Sequence, residues 1–172
     1  INDLFNSVVN LKHRTVLITI YAAGLRVSEA TNLKVSDIDS RNMQIRVVQG
    51  KGQKDRYTLL SPKNLEVLRD YWKYYHPKEW LFPGNAMDKP ISTRTIQKVF
   101  KTAKIKAGIK KDATVHTLRH SFATHLVEAG TNIYHIQQLM GHSNPKTTSI
   151  YIHLSRKDVL QIRSPLDTMV DV

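Results

Sequence analysis

Apolar residues recur at helical spacing along most of this chain, and that spacing predicts a mainly helical protein. Residues Arg14–Ala23 are apolar nearly all round and predict a buried helix that ends at Gly24. A short amphipathic piece at Leu4–Val9 precedes this helix, and a second short helix is predicted at Leu25–Leu33. The start of the chain therefore predicts helices only, one of them almost wholly buried.

Alternating apolar and polar residues replace the helical spacing in one stretch. Met43–Val48 alternates and is rich in β-branched residues, which predicts a strand, and Arg56–Leu60 predicts a returning strand. The turn between them contains two glycines, so the pattern predicts a β-hairpin. Three cations lie at or near its tip: Lys51, Lys54 and Arg56. They suit contact with a phosphate backbone, although lysines on a hairpin also protect its edge from pairing with another chain.

Helical spacing returns after the hairpin. Ser61 is a predicted N-cap, Pro62 suits the first helical position, and the helix is expected to end near Tyr75. Its apolar stripe is Leu65, Leu68, Trp72 and Tyr75. A stripe at this spacing is more typical of a core face than of a platform for stacked bases.

The next predicted helix has one apolar and one basic face. Ser92 caps it, it extends to about Ala107, and its core face is Ile96, Val99, Phe100 and Ala103. The other faces carry cations and an amide, among them Arg94, Gln97, Lys98 and Lys101. A basic, amide-bearing helix face suits a DNA groove. A solvated lysine-rich face accounts for the same pattern equally well.

Three short helices are predicted near the end of the chain. Thr114 caps the first, whose buried face is Leu118, Phe122, Leu126 and Ala129, and Gly130 ends it. Thr131 or Asn132 caps the second, which directs Ile133, Ile136, Leu139 and Met140 inward and ends at Gly141. Asn144 and Pro145 open the third, which carries Tyr151. The fold class is therefore α+β and mainly α-helical, a helical bundle with a small antiparallel β-hairpin or sheet on one edge.

The composition of the chain indicates a polyanionic binding partner. The chain has 172 residues, which suits one domain, and 41% of them are hydrophobic, enough for a core. Its net charge of +12 points first to nucleic acid and second to an anionic membrane. No long apolar run supports the membrane, and a basic surface kept for solubility is the plainer alternative. The absence of cysteine excludes disulfides and thiolate metal sites and fits a reducing cytosol.

Several polar residues that could bind a phosphate and react with it lie close together late in the sequence. His116 and Arg119 share a helix face, and His142 and Tyr151 follow on the next two segments. Earlier residues could complete the set: Arg26, which a surface position would also explain, and Lys51. Metal-free phosphoryl transfer needs these groups, because guanidinium groups neutralise the non-bridging oxygens, a phenol can attack and an amine can protonate the leaving oxygen.

Other chemistries fit less well. His116 and His120 are four residues apart, as zinc ligands on a helix can be, but no Glu lies between them and Arg119 would place a cation beside the metal. Residues 49–54 contain glycines and lysines but are too short for a P-loop and lie in a hairpin. A serine nucleophile elbow is also absent. We therefore expect neither a metal nor a nucleotide cofactor.

Four segments together resemble the tyrosine recombinase (phage integrase) family. They are GLRVSEATNLKVSDID, QGKGQKDRYTLL, HTLRHSFATHL and GHSNPKTTSIYIH, in the family's order and spread over most of the chain. An HxxR helix, then Gly-His, then a tyrosine nine residues after that histidine is a specific signature. The fold implied by the resemblance is the tyrosine-recombinase catalytic domain.

The resemblance implies a role for each matching residue. Arg26 and Arg119 would bind the scissile phosphate, and Tyr151 would attack it to form a 3′-phosphotyrosyl link. Lys51 would be the general acid for the leaving 5′-hydroxyl. The remaining matches are two histidines that would hydrogen-bond the phosphate and help to move protons, and an acidic residue that supports the site: His116, His142 and Glu29. The implied enzyme is a site-specific recombinase or integrase that passes through a Holliday junction.

The resemblance also implies partners and a domain assignment. Residues 1–172 would be the C-terminal catalytic domain, without the family's N-terminal core-binding domain. The partners would be double-stranded DNA, other copies of the chain in a tetramer on paired sites, and accessory DNA-bending proteins, but no membrane. The expected location is the cytoplasm of a bacterium, on DNA, with a phage or mobile-element origin. Three apolar residues after Tyr151 could dock on a neighbouring copy or pack on their own chain: Val159, Leu160 and Ile162.

Two alternatives and one departure from the family stay open at this point. A type IB topoisomerase-like enzyme would use arginine, lysine, histidine and tyrosine residues in the same catalytic roles. A DNA-binding module with a vestigial site is the alternative from another class. Val115 stands where many relatives have proline.

Overall fold

The computed structural model describes residues 1–48 and 55–141, and within these ranges the fold is mainly helical. The helices are α1 (Asn2–Asn6), α2 (Leu11–Ala23), α3 (Val27–Thr31), α4 (Pro62–Tyr75), α5 (Thr93–Lys106), α6 (Val115–Glu128) and α7 (Ile133–Met140). The strands are β1 (Ile38–Asp39), β2 (Gln44–Val47) and β3 (Arg56–Leu59), preceded by a 3₁₀ turn at Val35–Asp37. Among the helices described, none is long and apolar enough to cross a membrane. The predicted fold class is confirmed.

The strands form one antiparallel sheet in the order β1-β2-β3. The predicted hairpin is β2 and β3, in a register that pairs Ile45 with Thr58 and Val47 with Arg56. Strand β1 was not predicted, because two residues are too short for an alternating pattern. It joins the sheet by pairing Ile38 with Ile45.

Helix α2 lies at the centre of the molecule and packs against α4, α5 and α6. Its buried residues include Val16, Leu17 and Ile20, each at most 1% exposed, so the predicted buried helix is confirmed. It begins three residues earlier than predicted because the Asn10 side chain accepts a hydrogen bond from the His13 backbone N–H at 3.0 Å. It ends at Gly24, as predicted, in a left-handed conformation with φ of 63°.

Two predicted boundaries near the start of the chain are wrong. Helix α1 stops at Asn6, and Val9 is 92% exposed instead of lying on an apolar helix face. Helix α3 is shorter than the predicted Leu25–Leu33 because Arg26 is extended and its backbone N–H donates to Glu29, which fixes the helix start. Leu33 is buried beyond the helix end, where its carbonyl accepts a hydrogen bond from the Leu81 backbone.

The predicted stripe of α4 is partly wrong. Leu65 and Leu68 are buried, but Tyr71 occupies the core while Trp72 is 48% exposed. Tyr71 can be buried because its hydroxyl donates to the Leu81 carbonyl at 2.8 Å. Trp72 instead stacks on His76, with ring centroids 5.1 Å apart. The apolar spacing alone could not separate two neighbouring aromatic residues.

Helices α6 and α7 share a second, smaller hydrophobic cluster. Phe122 and Ala123 from α6 pack there with Ile136 and Met140 from α7. Ala129 is exposed at the end of α6, so its predicted burial is wrong. The N-cap of α7 is Asn132, whose side chain accepts from the Tyr134 backbone N–H at 2.8 Å. This cluster holds the C-terminal end of α7 against β3 and α6.

Candidate active site

Glu29 is the centre of a largely buried cluster of charged side chains. Its carboxylate accepts a hydrogen bond from Arg26 Nη1 at 2.7 Å and another from the Arg26 backbone N–H at 2.7 Å. Both groups lie where α2 gives way to α3, so the tight turn at Gly24 sets their positions. Arg26 keeps 43% of its side chain exposed. Glu29 therefore fixes one end of the guanidinium, while much of the Arg26 side chain stays exposed.

Arg119 approaches the same carboxylate from helix α6. Its side chain is only 2% exposed, and Nη1 lies 3.7 Å from Glu29 Oε2. The guanidinium donates to two main-chain carbonyls, Gly24 O and Met140 O, each at 2.6 Å. A buried charge is costly unless it is paired and hydrogen-bonded, and these contacts compensate the cost. They also fix the orientation of Arg119 against the ends of α2 and α7.

Arg56 completes the cluster and corrects a prediction. The sequence suggested a cation near an exposed hairpin tip, but the Arg56 side chain is only 9% exposed. Its guanidinium binds Glu29 through both terminal nitrogens, at 2.7 and 2.9 Å, and Nε donates to Leu139 O at 3.1 Å. The reason is the strand register. Arg56 pairs with buried Val47, and directly opposite residues point to the same face of a sheet.

The charges around Glu29 favour its ionised form. Burial raises the pKa of Glu29, but hydrogen bonds from Arg56 and Arg26, with the charge of Arg56, outweigh this effect and hold the pKa below its ordinary value. Three guanidinium groups therefore surround one carboxylate, and the cluster keeps a net positive charge. Such a cluster suits the binding of an anion, and the planar guanidinium matches phosphate oxygens.

His116 lies on the exposed surface of α6, one turn before Arg119. Loss of hydration lowers the pKa of its imidazole, and the charges of His120, Arg119 and Arg26 lower it further. The His116 and His120 rings meet edge to face with centroids 4.5 Å apart, so the two histidines contact each other through their rings. A neutral imidazole beside two arginines can accept a proton or share a hydrogen bond with a bound phosphate.

The structure thus brings together four of the predicted site residues: Arg26, Glu29, His116 and Arg119. The other four predictions from the resemblance and the hairpin lie outside the described residues: Lys51, Lys54, His142 and Tyr151. The same holds for the docking segment with Val159, Leu160 and Ile162. The described part of the chain contains no group of three or more metal-ligating side chains.

A cleft of about 720 Å³ opens beside the cluster. Arg26 and Glu29 form one wall, and Arg46 and Lys34 add cations along it. Both of these added cations are paired, Arg46 with Asp37 at 2.9 Å and Lys34 with Glu79 at 2.9 Å. The cleft also borders Val48 and Asp55, the residues on either side of the hairpin turn.

Helix α5 presents the predicted basic face. Its inward residues Ile96 and Phe100 are buried, while Arg94, Gln97, Lys98 and Lys101 are all exposed. Contact between these four side chains and DNA stays a prediction. Helix α5 packs against both α3, which carries Glu29, and α6, which carries Arg119. Its basic face is therefore part of the same packed unit as the charged cluster.

Comparison with known proteins identifies relatives across the chain. The model of the phage integrase family matches residues 1–158. The protein named integrase/recombinase y4qK in Sinorhizobium fredii (strain NBRC 101917 / NGR234) is 47% identical over 169 residues, which cover 98% of this chain and 55% of that protein. The chain thus spans about half the length of the curated relatives it matches.

Solved structures agree with the sequence relatives. The crystal structure of the XerA recombinase superposes with a TM-score of 0.80 at 33% identity, covering 92% of this chain and 58% of that one. The XerH site-specific recombinase bound to its difH substrate superposes with a TM-score of 0.79 at 24% identity, covering 92% and 50% of the two chains. At that identity, the XerH match supports the fold alone.

Proposed function

Because the chain belongs to the phage integrase family of tyrosine recombinases, we propose that it is the catalytic domain of a site-specific DNA recombinase or integrase. Residues 1–172 would form the C-terminal catalytic part of such an enzyme. The reaction would be metal-free cleavage and rejoining of DNA strands through a 3′-phosphotyrosyl intermediate. Two rounds would pass through a Holliday junction.

The observation that carries this proposal is the fixed cluster of guanidinium groups around Glu29. Arg119 is anchored by two main-chain carbonyls, and Arg26 is held by the carboxylate with part of its side chain exposed. Preorganised donors stabilise charge that develops on a phosphate because they need no rearrangement during the reaction. We therefore assign the binding of the scissile phosphate to Arg26 and Arg119.

The chemical steps follow from the assigned residues. The Tyr151 oxygen would attack phosphorus and lose its proton, and the bond from phosphorus to the 5′-oxygen would break. Lys51 would donate a proton to that oxygen, which leaves as a hydroxyl. His116 and His142 would hydrogen-bond the phosphate and help to move protons. Attack by a 5′-hydroxyl on the phosphotyrosyl link would reverse these steps, so rejoining would need no nucleotide cofactor.

Double-stranded DNA is the proposed substrate, and its charge fits the basic surface. The net charge of +12 and the exposed cations of α5 favour a polyanion. The similar XerH recombinase was solved bound to a difH substrate. We propose DNA contacts by Lys54, Arg94, Gln97, Lys98 and Lys101. We also propose a tetramer on paired sites, formed through the segment after Tyr151, with accessory DNA-bending proteins as further partners and the bacterial cytoplasm as the location.

Covalent trapping tests the proposal. Purified protein is incubated with a pool of nicked duplexes that lose the released strand on cleavage, and the DNA-linked peptide is mapped after denaturation. We expect an adduct on Tyr151 that Tyr151→Phe abolishes, with DNA affinity unchanged. Tyr134→Phe is the matched control because Tyr134 is an exposed tyrosine on α7. An adduct on another residue, or DNA binding without any adduct, would contradict the proposal.

A second assay separates the proposal from its nearest alternative. Supercoiled plasmids with and without the preferred duplex sequence are incubated with the protein, and relaxed and recombined products are counted. Recombination confined to the preferred sequence supports the recombinase. Relaxation that ignores sequence and yields no recombinants would favour the topoisomerase-like alternative.

A further inference from the structure

We infer that Arg56 is a positioning residue for strand cleavage: it fills the hydrogen-bonding sites of Glu29 and thereby keeps the Arg119 guanidinium where the Gly24 and Met140 carbonyls fix it. The inference rests on the proposed function, because it concerns the same phosphate-binding arginines. Arg56 touches neither the phosphate nor the nucleophile in this scheme. It acts through Glu29 and through the end of α7.

The first support is that the hydrogen-bonding capacity of Glu29 is filled. A carboxylate offers about four lone-pair sites. Four donors occupy the Glu29 oxygens: the Arg26 backbone N–H, Arg26 Nη1, and both terminal nitrogens of Arg56. Arg119 Nη1 lies 3.7 Å from Oε2, beyond hydrogen-bond distance, and donates to the Gly24 carbonyl instead. Arg56 therefore supplies the two bonds that Arg119 would otherwise be drawn to make.

The second support is the position of Arg56 between three segments of the site. It starts strand β3, directly after the hairpin turn that contains Lys51 in the sequence. Its Nε donates to the carbonyl of Leu139 in the last turn of α7. One side chain thus links the hairpin, the start of α3 and the end of α7.

The third support is Gly141, the residue directly before His142. A Cβ at this position would lie 2.6 Å from Arg56 Cδ and 2.8 Å from its Nε, closer than atoms can approach. Gly141 also has a φ of 62°, which favours glycine. The end of α7 is therefore shaped to receive the Arg56 side chain, which packs against the residue that precedes His142 in the sequence.

Loss of Arg56 should consequently misdirect Arg119 without weakening DNA binding. Without Arg56, two acceptor sites of the Glu29 carboxylate would be left empty. Arg119 is the nearest described cation that does not already hydrogen-bond Glu29. A shift of Arg119 toward Glu29 would break its hydrogen bonds to the Gly24 and Met140 carbonyls and displace its guanidinium from the position that they fix. A misplacement of about 1 Å can slow an enzyme by about 10²-fold.

The test compares Arg56→Gln and Arg56→Lys with a control outside the charged cluster and the cleft. Arg69→Gln is that control, because Arg69 is an exposed arginine on α4. Single-turnover cleavage is measured at saturating DNA, alongside the Kd for DNA and the Tm. We expect cleavage to fall by about 10²-fold in Arg56→Gln, with the Kd unchanged. Arg56→Lys, which keeps the charge but lacks the planar guanidinium and its Nε donor, should also cleave slowly, and Arg69→Gln should cleave at the wild-type rate.

Separate measurement of cleavage, DNA affinity and stability distinguishes positioning from a general loss of structure. We expect Arg56→Gln to cleave slowly at a temperature well below its Tm, with an unchanged Kd for DNA. Wild-type cleavage rates in both folded Arg56 variants would overturn the inference.

A crystal structure of Arg56→Gln without DNA decides the inference independently of cleavage. We expect Arg119 Nη1 to move within hydrogen-bond distance of Glu29, from its present 3.7 Å. An unchanged Arg119 would overturn the inference even if the Tyr151 adduct forms. If the wild-type protein forms no adduct, the proposed function fails, while the position of Arg119 in this variant still tests the coupling. If Arg56→Gln does not fold, the crystal structure of Arg56→Lys answers the same question.

Discussion

The substitution Gly24→Ala perturbs the fold and the site at one point. Gly24 ends α2 with φ of 63°, and its carbonyl accepts the hydrogen bond from Arg119 Nη1. An added Cβ would lie 2.4 Å from Cδ1 of Phe122, a buried residue of the second hydrophobic cluster. The substitution therefore combines an unfavourable backbone conformation with a steric overlap in the core.

The two costs can be separated with a second glycine. A non-glycine residue in the left-handed region costs about 1–2 kcal/mol, and overpacking a core costs about 1–3 kcal/mol. Gly108 has nearly the same φ, 67°, but no atom lies within 4 Å of where its Cβ would be. Gly108→Ala should therefore show only the backbone cost. The difference between the two variants estimates the overlap with Phe122 alone.

The assay is equilibrium urea denaturation of wild type, Gly24→Ala and Gly108→Ala. We expect a decrease in the free energy of unfolding of about 2–5 kcal/mol for Gly24→Ala and about 1–2 kcal/mol for Gly108→Ala, with unchanged m-values. For a chain of this size each kcal/mol corresponds to about 2–4 °C in Tm. Equal losses in the two variants would refute the claim that Phe122 leaves no space beside Gly24.

Three further predictions concern pH and packing. Because the pKa of Glu29 is lowered on folding, its stabilisation is present above an ordinary value of about 4.3 and is lost as pH falls through the lowered value. In denaturation at pH 6 and pH 3, Glu29→Gln should therefore lose less stability than wild type, and an equal loss would contradict this. Leu68→Ala should decrease the free energy of unfolding by about 2–5 kcal/mol, whereas Trp72→Ala should cost less because Trp72 is half exposed; a reversed order would contradict the assigned core face. His120→Asn should raise the pKa of His116 in an NMR titration without restoring its ordinary value, because loss of hydration is the larger cause, and a fall would refute the coupling.

Much of the fold could be predicted from local sequence patterns. The buried α2, the capped α4 and α5, and the β2–β3 hairpin follow from periodicity and from capping residues such as Ser61 and Ser92. The errors fall where tertiary contacts override local preference. Tyr71 replaces Trp72 in the core because the Leu81 carbonyl accepts a hydrogen bond from its hydroxyl, a partner that no helical pattern reveals.

The site was predicted residue by residue but not as an arrangement. The match to family motifs identified Arg26, Glu29, His116 and Arg119, which the structure places together. The role of Arg56 was missed, although one signal was present. With the hairpin register known, its position opposite Val47 would have placed it on the buried face.

The sequence by itself determined the family, the mainly helical class and the identities of the polar residues, because motifs, periodicity and caps are local properties of the chain. Only the tertiary structure decided which groups meet. Glu29 binds Arg56, 27 positions away, and Arg119 reaches the Gly24 carbonyl across 95 positions. Such contacts depend on how α2, β3, α6 and α7 pack, and burial then makes each bond obligatory, since an unpaired charge inside the protein is costly.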